Sequence, residues 1–181
     1  MKILYIHHGR VLGGAPTSLL FTIQGLKKIS DCDVKVLCVF DDMKEFFRKG
    51  AGIEVGEIND PCLILGRVLI GWASIYNITT LKQLLREVFN LKKSIHLQIE
   101  TLRKEKPDIV HLNSSILFTT AIAAYKLKIP VVWHVREILY GKRFNLRKVF
   151  SGYLIRKYAD RVIAIDNAEA KSLGRDKFNK V

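Results

Sequence analysis

Six short runs rich in aliphatic and β-branched residues alternate with longer stretches of helical periodicity, and nothing else restricts the fold of this chain as strongly. The runs are Lys2 to Ile6, Val34 to Phe40, Ile53 to Ile58, Asp108 to Leu112, Val131 to Val135 and Arg161 to Ile165. Most are continuously apolar, the pattern of strands covered on both faces. Helices are predicted between them over Pro16 to Ile29, Met43 to Lys49, Leu81 to Lys106, Ser115 to Leu127, Leu146 to Tyr158 and Ala168 to Leu173. In the longest, Leu81, Leu84, Leu85, Val88, Leu91, Ile95, Ile99 and Leu102 recur every three or four residues, which predicts a single apolar face. Pro107 ends it, because proline disfavours helix in the residue before it. Strands joined by helical crossovers run parallel, and right-handed crossovers place helices on both sides. The expected fold is therefore α/β: a doubly wound, Rossmann-like parallel sheet in a three-layer α/β/α arrangement, with strand order 3-2-1-4-5-6. Such sheets bind ligands beyond the carboxyl ends of strands one and four. That rule selects His7 to Gly14, Asn113 to Ser115 and Val135 to Tyr140.

The chain of 181 residues suits one domain with a sizeable core, and 49% hydrophobic residues make it globular. Thirty Lys and Arg against 17 Asp and Glu leave a net charge of +13, which calls for an anionic partner: nucleic acid, anionic lipid or a nucleotide substrate. Cys32, Cys38 and Cys62 form no zinc or paired spacing and read as reduced thiols of a cytosolic protein. The N-terminus reads as a strand carrying Lys2, not as a signal peptide. The nearest approach to a membrane span, Leu63 to Ile78, is shorter than the roughly 20 residues a bilayer requires and is interrupted by Arg67. A spanning helix is rejected, while contact with a membrane surface stays open.

The loop after the first strand, GRVLGG over Gly9 to Gly14, lacks both the G-x-G-x-x-G dinucleotide spacing and the GK[ST] of a P-loop, which disfavours a dehydrogenase or an NTPase. Gly13 and Gly14 still let a ligand approach the backbone, and Pro16 suits a first helical turn. Free N–H groups and the positive end of a helix dipole then meet at one spot, which favours phosphate. His134 stands near the end of an apolar strand, with Arg136 on the same face and Glu137 following. Its imidazole can exchange a proton near neutral pH or bond a hydroxyl while neutral. Asn113 and Ser114 lie where the crevice should be, whereas His111 reads as buried and structural and His96 as surface. His7 and His8, adjacent on an extended chain, should face opposite ways, so a shared metal is not expected. No carboxylates cluster as metal ligands do.

Positive charge concentrates in two segments. Lys142 to Arg161 holds seven basic residues and one acid among apolar and aromatic ones, and Lys82 to Lys106 holds seven basic residues and three acids. Basic amphipathic helices suit an anionic membrane surface. Nucleic acid is disfavoured: no reader motif appears, and the aromatics fall in apolar patterns instead of on a stacking platform.

The loop ending Gly13-Gly14-Ala15, PDIVHLNS (Pro107 to Ser114), IPVVWHVRE (Ile129 to Glu137) and ADRVIAID (Ala159 to Asp166) together resemble the N-terminal domain of glycosyltransferase family 4. The resemblance runs from Lys2 to about Asp166 and implies one of the two facing Rossmann-like domains of the GT-B architecture. It implies transfer of a sugar from a nucleotide-sugar donor to a glycan or lipid-linked acceptor, with retention at the anomeric carbon and no obligatory metal or other cofactor. It places Gly13 and Gly14 beside the donor phosphates and acceptor, and His134 against the transferring sugar. Glu137 would match the acid that often follows that histidine. In the family the donor nucleotide is held mainly by a C-terminal domain with a Glu-x7-Glu motif. Nothing here matches it, so residues 1–181 are expected to form the acceptor-side domain alone, inactive in isolation. A cytoplasmic enzyme at the inner membrane face is the resulting expectation; the alternatives are a basic nucleic-acid-binding module and another sugar-nucleotide enzyme of related architecture, such as an epimerase.

Overall fold

A computed structural model of the chain describes residues 1–70, 76–136 and 146–173. Six strands, β1 (Lys2–His7), β2 (Asp33–Cys38), β3 (Glu54–Glu57), β4 (Ile109–Leu112), β5 (Val131–Val135) and β6 (Arg161–Ala164), make one sheet. Its order is β3-β2-β1-β4-β5-β6 with every pair parallel, as the alternation of elements predicts. The order reverses between β1 and β4, where Ile6 pairs with Leu37 on one side and Leu112 on the other.

The helices are α1 (Gly14–Ile29), α2 (Lys44–Ala51), α3 (Leu63–Ile70), α4 (Ile78–Glu105), α5 (Phe118–Lys126), α6 (Leu146–Tyr158) and α7 (Asn167–Ser172). Two apolar cores result. One joins α1 and α2 to Ile3, Tyr5, Val34 and Val36; the other joins Leu4, Ile6, Val110, Leu112, Trp133 and Val135 to Leu102, Ala121, Leu154 and Ile155. All three cysteines are free, and burial pushes the Cys38 thiol up to about 12, so it is an inert packing residue.

Three departures from the sequence reading bear on function. The first is α3, a helix not among those predicted, which forms within the apolar run after Cys62 and packs against α4 and α6. The second is α5, which starts at Phe118 and not at Ser115, because the Ser114 hydroxyl accepts from the Ile116 N–H and holds the preceding residues in a turn.

The third is α4, which does not bury the predicted face along its length. Asn77 caps it by accepting from the N–H groups of Thr79 and Thr80, and it ends where Lys106 turns left-handed at φ 49°. Its buried residues include Glu87, Ser94 and Gln98, while Leu85 and Val88 are about half exposed and Phe89 is 86% exposed. A polar cluster explains the departure. Asp60 accepts from Thr119 (2.8 Å), Ser94 (3.1 Å) and the Cys62 N–H (3.0 Å). Gln98 donates to the Asn59 carbonyl (2.7 Å) and accepts from Thr120 (3.2 Å). Buried polar groups need such partners, and these are fixed to α3 and α5. Hydrogen bonding therefore turns the first half of α4 away from its predicted face, whereas Leu91, Ile99 and Leu102 of that face still pack on the core. Among the described residues, no helix is long and apolar enough to cross a membrane.

Candidate functional site

The carboxyl ends of β1, β4 and β5 converge on a cleft of about 560 Å³, lined by His7 to Pro16, Arg67, Asn113 and Arg136. Strand alternation builds its floor. On the face opposite Leu4 and Ile6, β1 carries Tyr5 and His7; β4 carries His111 and leads to Asn113; β5 carries His134 and leads to Arg136. The rings of Tyr5 and His111 lie 4.7 Å apart, and those of His111 and His134 lie 5.7 Å apart edge to face.

A chain of hydrogen bonds ties the three strands together. Arg136 Nε donates to Asn113 Oδ1 at 2.8 Å, and the Asn113 amide nitrogen lies 3.1 Å from His7 Nδ1. Because guanidinium can only donate, Asn113 must turn its oxygen to Arg136 and its NH₂ to His7. His7 Nδ1 is thus an acceptor and its proton sits on Nε2. Arg136 also donates to Ser18 on α1 (3.1 Å) and reaches His134 Nδ1 (3.4 Å), which assigns the His134 proton to Nε2 as well. Burial, with help from neighbouring positive charge, lowers the pKa of His7 to about 3 and of His134 to about 4. Both imidazoles are neutral at pH 7, and the positive charge of the cleft comes from its arginines.

Helix α1 opens onto the same cleft. Its N-cap is Gly13, in extended conformation, with no side-chain cap and no acid in the first turn. The first helical bond runs from Thr17 N–H to Gly13 carbonyl, which leaves the N–H groups of Gly14 and Ala15 without a helical acceptor. A Cβ placed on Gly13 or Gly14 would meet no atom within 4 Å. The space above the turn is open, so these glycines are not demanded by internal packing.

The structure brings Gly13, Gly14, Asn113 and Arg136 together in the cleft. His134 stands behind Arg136, only 9% exposed, and is not among the lining residues. Ser114 is fully buried, its carbonyl accepting from the Trp133 indole at 2.8 Å. Glu137 lies outside the described residues. His111 is buried and His96 exposed, as read from sequence. One correction concerns His7 and His8, which do not point to opposite sides: their rings are 6.1 Å apart and both line the cleft, because the strand ends at His7 and the chain turns. Among the described residues no three His, Cys, Asp or Glu side chains gather as metal ligands would.

Arg67 and Ser18 escaped the sequence reading, and Arg10 entered it only as part of the selected segment His7 to Gly14. Arg10 stacks on Phe40, 4.1 Å from the ring centre. Arg67 reaches the cleft from α3, and the signal for it was present: a lone arginine inside an apolar run is costly unless its charge has somewhere to go.

A family model described as Glycosyltransferase Family 4 matches residues 12–180. No curated protein matches the sequence. Among solved structures, Anabaena HepE in complex with UDP superposes with a TM-score of 0.66 at 18% identity, over 99% of this chain and 42% of that one. MurG of Acinetobacter baumannii gives 0.58 at 16% identity, over 92% and 42%. S. aureus MnaA with UDP gives 0.58 at 15%, over 98% and 41%. These likenesses establish the fold, and the chain spans about two fifths of each of those proteins.

Proposed function

The chain belongs to Glycosyltransferase Family 4, and on that premise we propose that it is the acceptor-side domain of a retaining glycosyltransferase. The full enzyme moves a sugar from a nucleotide-sugar donor to a lipid-linked or polysaccharide acceptor, in the cytoplasm at the inner membrane surface, without an obligatory metal. In the transfer, the bond between the anomeric carbon and the diphosphate oxygen breaks. The acceptor hydroxyl oxygen bonds that carbon on the same face, and its proton leaves with the nucleoside diphosphate. Negative charge gathers on the departing diphosphate, and fixed N–H donors stabilise such charge without reorganising.

The observation that carries this reading is the open turn at Gly13 and Gly14, backed by uncapped N–H groups and rimmed by arginines. UDP in the HepE and MnaA structures supports a nucleotide-sugar donor. His134, neutral and bonded through Nδ1 to Arg136, stands directly behind the cleft lining, and in this reading it acts at the transferring sugar. The membrane part draws on α4, where Leu85, Val88 and Phe89 stand exposed among the exposed Lys82, Arg86, Lys92 and Lys93.

Gly14→Ala in the full-length enzyme tests the core of the reading. Alanine is the better helix former by about 1 kcal/mol, and its methyl meets no protein atom, so the melting temperature should hold or rise. Transfer should fall at least ~100-fold, the scale of losing a charge-stabilising contact. Normal transfer by this variant, or a product in which the sugar is altered but not transferred, would overturn the assignment.

A further inference from the structure

Resting on the transferase reading above, we propose that Arg136 is a positioning residue for His134: it fixes which imidazole nitrogen carries the proton, and it does not itself hold substrate. Three observations converge on that assignment. First, the arginine, although it borders the cleft, is engaged by the protein on three elements. Its Nε donates to Asn113 Oδ1 beyond the end of β4 (2.8 Å). One terminal nitrogen donates to Ser18 Oγ on α1 (3.1 Å) and lies 3.4 Å from His134 Nδ1 on β5. A guanidinium is planar, so bonds to two fixed partners set its plane and the direction of its remaining N–H groups. Asn113 is itself only 1% exposed, with its amide nitrogen 3.1 Å from His7 Nδ1, so the fork is held by buried groups.

Second, the geometry permits one tautomer. Residues two apart on a strand project to the same face, which sets Arg136 beside the His134 ring. A guanidinium only donates, so the nitrogen it faces must be the unprotonated one. A proton on Nδ1 would set two N–H groups against each other. At 3.4 Å the bond is long and adds little stability; its effect is on where the proton sits.

Third, no other contact makes that choice. The His134 ring meets His111 edge to face at 5.7 Å, and His111 lies 4.7 Å from Tyr5. Ring packing orients the imidazole plane but is indifferent to which nitrogen is protonated. Among the described residues no second hydrogen bond reaches His134. Holding an imidazole in one tautomer is an established task for a neighbouring group at acid–base sites. Here Nε2 becomes a donor in every molecule, where a free imidazole would alternate between donor and acceptor. Ser18 stands on the second turn of α1, so the helix that opens at Gly14 is bonded to the group that orders His134.

Two measurements test the proposal. In the chain labelled with ¹⁵N-histidine, a long-range ¹H–¹⁵N correlation spectrum at pH 7.5 reads the tautomer with no donor or acceptor present, and His134→Gln identifies the signals. Wild type should show Nε2 protonated and Nδ1 bare. Arg136→Met, which lacks the donors, should give signals averaged between the tautomers. Arg136→Lys should keep the wild-type pattern, because an ammonium also only donates. In the full-length enzyme, Arg136→Met should lower kcat ~10-fold or more at nearly constant donor KM, the mark of a contribution confined to the transition state. It should cost nothing further in a His134→Ala background, since a residue acting through another loses its effect when that one is removed. Arg136→Lys should restore part of the rate, and Ser18→Ala should cause a smaller loss of the same kind.

An Arg136→Met spectrum identical to wild type, a raised KM at full kcat, or an undiminished loss in the His134→Ala background would each overturn the proposal, assign Arg136 to substrate and leave the transferase reading standing. If Arg136→Met does not fold, the wild-type and Arg136→Lys spectra decide: a proton on Nδ1 in either refutes the assignment. Failure of the full-length wild-type protein to transfer sugar would strike the transferase reading, while the spectra would still decide the tautomer.

Discussion

At the carboxyl ends of β1, β4 and β5 the two faces of the sheet carry opposite chemistry, although the residues concerned are neighbours in sequence. On β5, Trp133 and Val135 point into the apolar core beneath α5 and α6, while His134 and then Arg136 point to the cleft side. On β1 and β4 the same division separates Leu4, Ile6, Val110 and Leu112 from Tyr5, His7, His111 and Asn113. Both faces are buried under helices, but the one beneath α1 changes along its strands, from an apolar core at Ile3 and Tyr5 to a carboxyl end where His7, Asn113, Arg136 and His134 hold one another. The lesson is that a pleated strand can divide stability from chemistry at single-residue resolution.

The largest effect should come from Trp133→Ala, which empties a fully buried site and removes the bond to the Ser114 carbonyl. A loss of about 3–5 kcal/mol is expected, read as a lowered urea midpoint. Its neighbour separates the faces: His134→Ala in the full-length enzyme should cost little stability and reduce transfer by ~100-fold or more, on the scale of a positioned polar catalyst. Unfolding of His134→Ala as severe as that of Trp133→Ala would erase the distinction between the faces.

Acid should act through the polar face. The pKa values of His7, His111 and His134 in the folded chain are lowered to about 3, 3 and 4, chiefly by burial. The unfolded chain titrates near 6.5, so below that pH it binds more protons than the folded state. The stability contributed by neutral imidazoles is complete above pH 6.5 and drains away as pH falls toward 4. Each histidine contributes at most about 1.4 kcal/mol per pH unit, and adjacent ones not additively. The melting temperature should therefore drop between pH 7.5 and 5; a flat profile would show that the polar face is hydrated. The smallest effect on folding belongs to Phe89→Ser on the outward side of α4, within ~0.5 kcal/mol of wild type. The same change should weaken sedimentation with phosphatidylglycerol vesicles, and an unaltered partition would remove α4 from the membrane contact.

Strand order and the place of the cleft were legible because continuous apolar runs report two-sided burial, and the switch point follows from connectivity. β5 and α6 match their predicted bounds residue for residue. The inward side of α4 was only partly legible, because leucine periodicity carries no information about Asp60, which lies 34 residues before its partner Ser94. Arg67 stayed hidden for a related reason: its role depends on α3, which reads from sequence as an apolar run too short to span a bilayer. His7 was placed at the crevice, but strand alternation set it apart from His8, a rule that stops applying where the strand stops.

Helix α3 is moored by residues 60, 66 and 87, and none of these is the residue that faces the cleft. Position 67 can therefore vary while its mount stays fixed. Exchange of this arginine for a neutral or acidic side chain would change the charge of the cleft and leave the anchorage of the helix intact.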